Sequence, residues 1–177
     1  VRSASRIKLV LVLKNDTFVG EQSGTELAPG IFDDDQVYDA ALRRAGVVRV
    51  ETSDELFNAL ETLSRMKPMR GERLAILCNG MGPNALATER LLNKQGKLSE
   101  LTEESIEQLA EFMPERWNRS NPVDLDATAD PERFSKAVRI LTKDQNVDAV
   151  LVLHAPTRLA PAVETADRVI EVAKKTP

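Results

Sequence analysis

Arg73-Leu-Ala-Ile-Leu-Cys-Asn-Gly-Met-Gly-Pro-Asn-Ala-Leu-Ala-Thr-Glu-Arg-Leu-Leu92 decides how the rest of the chain is read. An apolar run, Leu74 to Cys78, meets a turn with two glycines, Gly80 and Gly82, and a helical pattern follows at once. Buried strand, glycine turn, helix is the order in which open α/β sheets build an anion site. Glycine lets the backbone approach a ligand, and the new helix aims unpaired N–H groups and its positive dipole end at it. Asn79, Gly80, Met81 and Gly82 are therefore the candidate phosphate- or anion-binding residues. Two readings stand for them, a ligand cradle or ordinary turn chemistry. Neither nucleotide fingerprint is complete: Ala85 stands where G-x-G-x-x-G needs its third glycine, and there is no Walker lysine.

Outward from this stretch, strands and helices alternate. Upstream, Leu9 to Leu13 is a continuous apolar run, the pattern of a strand covered on both faces. The stretch from Lys14 to Phe32 is polar and without period, a long loop. Asp33, Asp34 and Asp35 precede a helix with Val37, Tyr38, Ala41 and Leu42 at helical spacing. They read as cap and first-turn residues, or more sharply as a metal site. Gly46 closes that helix and Val47 to Val50 is a short strand. Thr52 and Glu55 form a capping-box pair that opens the next helix. Met66 to Gly71 reads as a linker, so the expected division is 1–66, a linker at 67–72, and 73–177.

Downstream, a helix is expected from about Pro83 to Gln95, and another from Thr102 that carries Met113 and ends at Pro114. Asn118 to Leu125 is irregular. Asp130-Pro131 opens a helix as cap and first position. Asp148 to Leu153 is a second continuous apolar strand, and Pro161 opens a last helix to about Lys175. This alternation implies α/β architecture with parallel sheets, whose ligands bind beyond the carboxyl ends of the strands.

Composition narrows the function classes. With 42% hydrophobic and 29% charged residues, 177 residues make an ordinary globular chain of one large or two small domains. A formal charge of −4 argues against nucleic acid as a partner. No apolar run reaches membrane-spanning length and no signal peptide is visible, so no membrane partner and a cytoplasmic home are expected. The single cysteine, Cys78, forms no internal disulfide and reads as a buried, inert thiol. The chain lacks an initiator Met and stops at Pro177, which reads as a fragment of a longer protein.

Candidate chemistry is thin. His154 is the only histidine and ends a strand; a structural, hydrogen-bonded role is preferred over a general base, because no nucleophile is paired with it. Asp124 and Asp126 flank Leu125 and read as loop hydrogen-bond acceptors rather than a carboxylate pair. No zinc-ligand spacing and no triad are present, and the only Trp and Tyr, Trp117 and Tyr38, read as packing residues.

Asn79-Gly80-Met81-Gly82-Pro83, Asn121-Pro-Val-Asp-Leu125, Asp148-Ala-Val-Leu-Val152 and Val37-Tyr-Asp-Ala-Ala-Leu-Arg-Arg-Ala-Gly-Val-Val-Arg-Val50 occur in an order that resembles the succinyl-CoA-ligase-like domain of NDP-forming acyl-CoA synthetases. Within that family, Leu60-Glu-Thr-Leu63 through Arg70-Gly71, Gly96-Lys-Leu98 and Val152-Leu-His-Ala-Pro156 look most like the bacterial Pat-type protein lysine acetyltransferases. The resemblance implies two flavodoxin-like parallel-sheet subdomains, at least the first incomplete: 1–66 is the latter part of the first, and 73–177 is the second, truncated at its C-terminus. It implies partner domains in the parent chain (CoA-binding, ATP-grasp-like, acetyltransferase) and a possible homo-oligomer. Acetyl-CoA or CoA, together with ATP, would serve the parent as cofactors, with none in this fragment and no metal.

One departure from the family sets the expected function. Active synthetases of the family phosphorylate a histidine in a loop shortly before the Val-Tyr-Asp segment, and ungapped alignment puts Leu27 there. Phosphoryl transfer needs an imidazole nitrogen as nucleophile, which leucine lacks. Met81 and Asn84 would also crowd a phosphate at the turn. The expectation is therefore a catalytically inactive, synthetase-like regulatory or scaffold fragment of a protein lysine acetyltransferase, with no catalytic residue of its own. Two alternatives stand beside it. One is part of an active ADP-forming acetyl- or acyl-CoA synthetase whose histidine comes from elsewhere. The other is a flavodoxin-like module that senses a small anion or a nucleotide.

Overall fold

A computed structural model describes residues 2–13, 35–66, 69 and 71–175. They form two compact units, 1–67 and 68–177. The long loop after Leu13, with Asp33 and Asp34, lies outside the described residues.

In the first unit, α1 (Arg2–Ser5) leads to β1 (Leu11–Leu13), which pairs in parallel with β2 (Val48–Val50), Leu11 opposite Val48 and Leu13 opposite Val50. Between them runs α2 (Asp35–Arg44). Gly46 follows at φ +67, a left-handed conformation that explains the glycine at this helix end. Half of the capping pair forms as expected at the start of α3 (Ser53–Arg65): Glu55 N donates to Thr52 Oγ1 at 3.1 Å, while Glu55 Oε2 accepts from Glu51 N, one residue before the cap, at 2.9 Å. Tyr38 is 41% exposed, so it is not the packing residue expected.

The second unit is built on β3 (Arg73–Cys78), flanked in chain order by β4 (Lys97–Leu98), β5 (Val123–Asp124) and β6 (Ala149–Leu153). All pairings are parallel. β6 takes one edge of β3 along five residues, from Leu74–Ala149 to Cys78–Leu153. The other edge is shared: β4 pairs at Arg73 and Leu74, β5 at Leu77 and Cys78. The two short strands escaped the sequence reading because two residues show no periodicity.

Between them the ladder has a gap, and a side chain fills it. Ile76 N donates to Asn121 Oδ1 at 2.9 Å, while Asn121 Nδ2 donates to the carbonyl oxygens of Leu74 (2.8 Å) and Ser99 (3.0 Å). The carboxamide stands in for a peptide group, and the backbone of β3 stays paired where no strand reaches it.

Helices α4 (Met81–Asn93), α5 (Glu103–Ala110), α6 (Pro131–Leu141) and α7 (Ala162–Lys175) cover the sheet. α4 begins two residues before the expected Pro83, and α5 stops short of Met113. Thr102 caps α5, and Asp130 caps α6 with Pro131 just inside it. The core joins Ala75 and Leu77 to Leu109, Val123, Leu125, Phe134, Ala137, Val138 and Leu141, with Trp117 packed at its border. Alternation along β3 sends the fully buried Ile76 and Cys78 to the opposite face.

At the other end of the sheet, Arg73 and Asp148 strap β3 to β6. Arg73 Nε and Nη2 reach the two carboxylate oxygens at 2.9 Å each, and Arg73 N donates to Asp148 Oδ2 at 2.9 Å. Gly71 passes so close that an added Cβ would lie 2.2 Å from Asp148 Oδ2. Nearby, Asp144 accepts from Thr102 N at 2.9 Å and Asn146 N at 2.8 Å, tying the α5 cap to the turn before β6. Burial pushes the Asp144 carboxyl up, but hydrogen bonds from Ser105, Asn146 and Thr102 outweigh it and hold it below its ordinary value.

Two predictions follow from this bonding. Asn121→Ala leaves Ile76 N–H without its partner inside the sheet; the expected loss is about 2–3 kcal/mol, read from urea unfolding midpoints. The Arg73 guanidinium and N–H hold the Asp148 carboxyl at about 2. Its folded value thus lies below the unfolded one of about 3.9, so the strap's stabilisation is full above pH ~4 and fades as pH falls toward ~2. Asp148→Asn is expected to flatten the acid limb of Tm against pH in that window; an unchanged limb would refute the assignment.

Candidate functional site

The carboxyl end of the second sheet gathers three segments: 79–83 after β3, 125–129 after β5, and 154–160 after β6. Asn79 is 1% exposed. Its Nδ2 donates to Ala155 O and its Oδ1 accepts from Ala155 N, both at 2.8 Å. The side chain is therefore committed to holding the β6 loop against the end of β3.

The N–H groups of Gly80 and Asn79 point to the Cys78 sulfur. Burial nonetheless pushes the thiol up, with the charge of Asp124 adding to it against the pull of those two N–H groups. Cys78 stays protonated and inert, as read from the sequence.

Gly80 is the N-cap of α4 in extended backbone, φ −168, and supplies no capping side chain. Asn84 N closes on Gly80 O at 3.3 Å, and Pro83 has no N–H. The donors left at this helix start are Met81 N–H and Gly82 N–H. A Cβ at Gly80 would meet only ordinary contacts, and one at Gly82 would meet nothing within 4 Å. The fold itself requires neither glycine; their absence of bulk leaves open space over an uncapped, positive helix end. Of the two side chains expected to crowd the turn, Met81 is 80% exposed and projects into solvent. Asn84 is 6% exposed, and its Oδ1 has no hydrogen-bond partner.

The other candidates are held by bonds of their own. His154 Nε2 lies 3.0 Å from Ala160 O, and its ring meets Phe134 edge-on, centroids 5.4 Å apart. The carbonyl fixes Nε2 as the protonated nitrogen, which makes this a structural histidine. Asp124 Oδ1 accepts from Asp126 N at 2.9 Å, and Asp126 Oδ1 from Thr128 N at 2.6 Å, so both carboxylates shape the loop. Asp126 holds φ 62, and Arg133 steadies the segment through Leu125 O and Thr128 Oγ1, both at 3.3 Å. No spacing signal marked Arg133. Leu27 lies outside the described residues. Among the described residues, no group of three or more His, Cys, Asp or Glu could hold a metal ion, and no helix is long and apolar enough to cross a membrane.

These roles make opposite predictions for neighbouring positions. Asn79→Ala releases Ala155 and leaves buried partners unpaired, with an expected loss of about 2–3 kcal/mol. Gly82→Ala enters open space, and its unfolding midpoint is expected to stay within about 0.5 kcal/mol of the parent. Equal losses in denaturant titrations would show that the turn is packed rather than open.

Residues 1–63 match the succinyl-CoA-ligase-like flavodoxin domain family. The chain is 32% identical over 170 residues to the ADP-forming acetate–CoA ligase I of Archaeoglobus fulgidus, covering 96% of this chain and 24% of that protein. It is 28% identical over 170 residues to the alpha subunit of the corresponding ligase I of Pyrococcus furiosus, covering 96% of this chain and 37% of the subunit. In fold it matches the apo dinucleotide-forming acetyl-coenzyme A synthetase 1 of Ca. Korarchaeum cryptofilum at a TM-score of 0.84 and 24% identity, over 99% of this chain and 38% of the other. The chain thus spans well under half the length of these relatives. The acetyltransferase-fragment function expected from the sequence is overturned: the relatives matched are ADP-forming ligases, and nothing supports the Pat-type likeness. Two parallel α/β units are thus similar to the flavodoxin-like region of ADP-forming CoA ligases, with residues 1–63 matching the succinyl-CoA-ligase-like flavodoxin domain.

Proposed function

We propose that the chain is the flavodoxin-like segment of an ADP-forming acyl-CoA synthetase, an enzyme that joins a carboxylic acid to CoA while ATP becomes ADP and phosphate. The observation that carries this is the 32% identity to an acetate–CoA ligase, which runs across both units. Within the segment, Asn79 to Gly82 serves as the phosphate subsite. Met81 N–H and Gly82 N–H, at the uncapped start of α4, face a phosphoryl dianion with a favourable dipole. Asn79 contributes by positioning, through its grip on Ala155.

A phosphoryl relay through imidazole needs a nitrogen lone pair free to attack phosphorus. Leu27 has none; His154, the chain's only histidine, keeps its lone pair on Nδ1, but Nε2 is tethered to Ala160 O and the ring packs on Phe134, which hold it away from a carrier's role. The relay imidazole therefore belongs to another part of the same enzyme. CoA and ATP occupy sites in its other domains or subunits.

The full-length protein incubated with a short-chain acid, CoA and Mg-ATP is expected to form acyl-CoA and ADP in equal amounts. His154→Gln is expected to retain turnover, and label from the γ-phosphate is expected on a histidine outside residues 1–177. No acyl-CoA from folded protein across a panel of acids would sink the ligase reading. Label on His154 would sink the relay assignment alone.

A further inference from the structure

The outer faces of α5, α6 and α7 enclose an open cleft of about 830 Å3 in the second unit, away from the glycine turn. Its lining follows from the register of α6. Phe134, Ala137, Val138 and Leu141 face the core. Residues 132, 136, 139 and 140, spaced by three and four, then fall together on the outer side. Glu132 and Lys136 neutralise each other at 2.9 Å. Arg139 on α6 and Arg168 on α7 border the same cleft, and neither enters an ion pair among the described residues. The carboxylate in their field, Glu171, is bonded to Lys175 at 2.8 Å. Phe112 and Ile140, both half-buried, supply an apolar floor, and Gln108 and Glu111 add hydrogen-bond acceptors.

We propose that this cleft binds an adenosine phosphate, with the base against Phe112 and Ile140 and the phosphate between Arg139 and Arg168. The volume is within the range of about 300–1,000 Å3 that holds one small ligand. Two unpaired guanidiniums on facing helices fit a phosphate, which each can meet with two parallel N–H donors. A purely anionic ligand would leave Glu111 opposed and the apolar floor idle. A nucleotide uses all three features, because its ribose and amine hydrogens seek acceptors and its base seeks apolar contact. The same chemistry is offered by a free nucleotide and by the adenosine end of CoA. Nothing in this site uses the glycine turn or the relay, so it stands apart from the ligase reading.

Amide hydrogen exchange of the protein, read over residues 104–112, 132–141 and 164–172, tests it with ADP, CoA and inorganic phosphate as separate probes. ADP or CoA is expected to protect all three segments saturably, the tighter of the two identifying the source. Inorganic phosphate is expected to act at least tenfold more weakly. Arg139→Gln with Arg168→Gln, both exposed positions, is expected to raise the half-saturating ADP concentration about tenfold or more, a loss of about 1.4 kcal/mol, with the unfolding midpoint unchanged. Absent protection, protection by phosphate equal to that by ADP, or protection indifferent to the double substitution would each overturn the proposal. A failed ligase assay would leave this readout untouched.

Discussion

Everything in the second unit is registered on one strand, and that strand must have both edges saturated. β3 is fully buried from Ala75 to Cys78, so any unpaired N–H or C=O along it would carry the whole desolvation cost. β6 satisfies one edge alone. The other edge is assembled from β4, the carboxamide of Asn121, and β5, in that order along the strand. Asn79 repeats the device just past the end of the strand, pairing with both backbone groups of Ala155. Two asparagines thus act as pieces of backbone, and the carboxyl end of the sheet is rigid because of them.

That rigidity sets the character of the glycine turn. The helices whose caps are described elsewhere in the chain, α3, α5 and α6, begin under side-chain oxygens of Thr52, Thr102 and Asp130. α4 begins under Gly80, which has no side chain to offer. A cap such as those is worth about 1 kcal/mol, so leaving α4 bare sacrifices stability for two exposed donors. Asn79 compensates by fixing the approach to the helix from below, where it does not compete for those donors.

How legible this was in the amino-acid order depends on the length of each signal. Leu74–Cys78 and Asp148–Leu153 are long apolar runs, and the Thr52–Glu55 and Asp130–Pro131 pairs are local chemistry, so their elements appear close to where they were expected. β4 and β5 are two residues each and exist only because β3 needs partners, a tertiary demand with no local trace. The dual bonding of Asn121 and Asn79 was equally invisible, since an asparagine near a turn reads first as a turn residue. His154 and Asp124 were read correctly as structural because nothing complementary stood near them in sequence. That Met81 is exposed and Asn84 buried was not legible, because spacing alone does not say which side of a helix start faces out.

The functional correction has the same root. A leucine at the family's histidine position implies loss of a local relay group, not of the whole activity, because a relay group needs only to reach the phosphate. Cradle and carrier have different physical requirements. The cradle needs fixed N–H donors at a helix start, and a sheet edge held by Asn79 and Asn121 supplies them without motion. The carrier needs a nucleophilic nitrogen that can move between partners, which a ring pinned to Ala160 O and Phe134 cannot do. In the proposed function, immobility is thus what suits these residues to receive a phosphoryl group and what disqualifies His154 from delivering one.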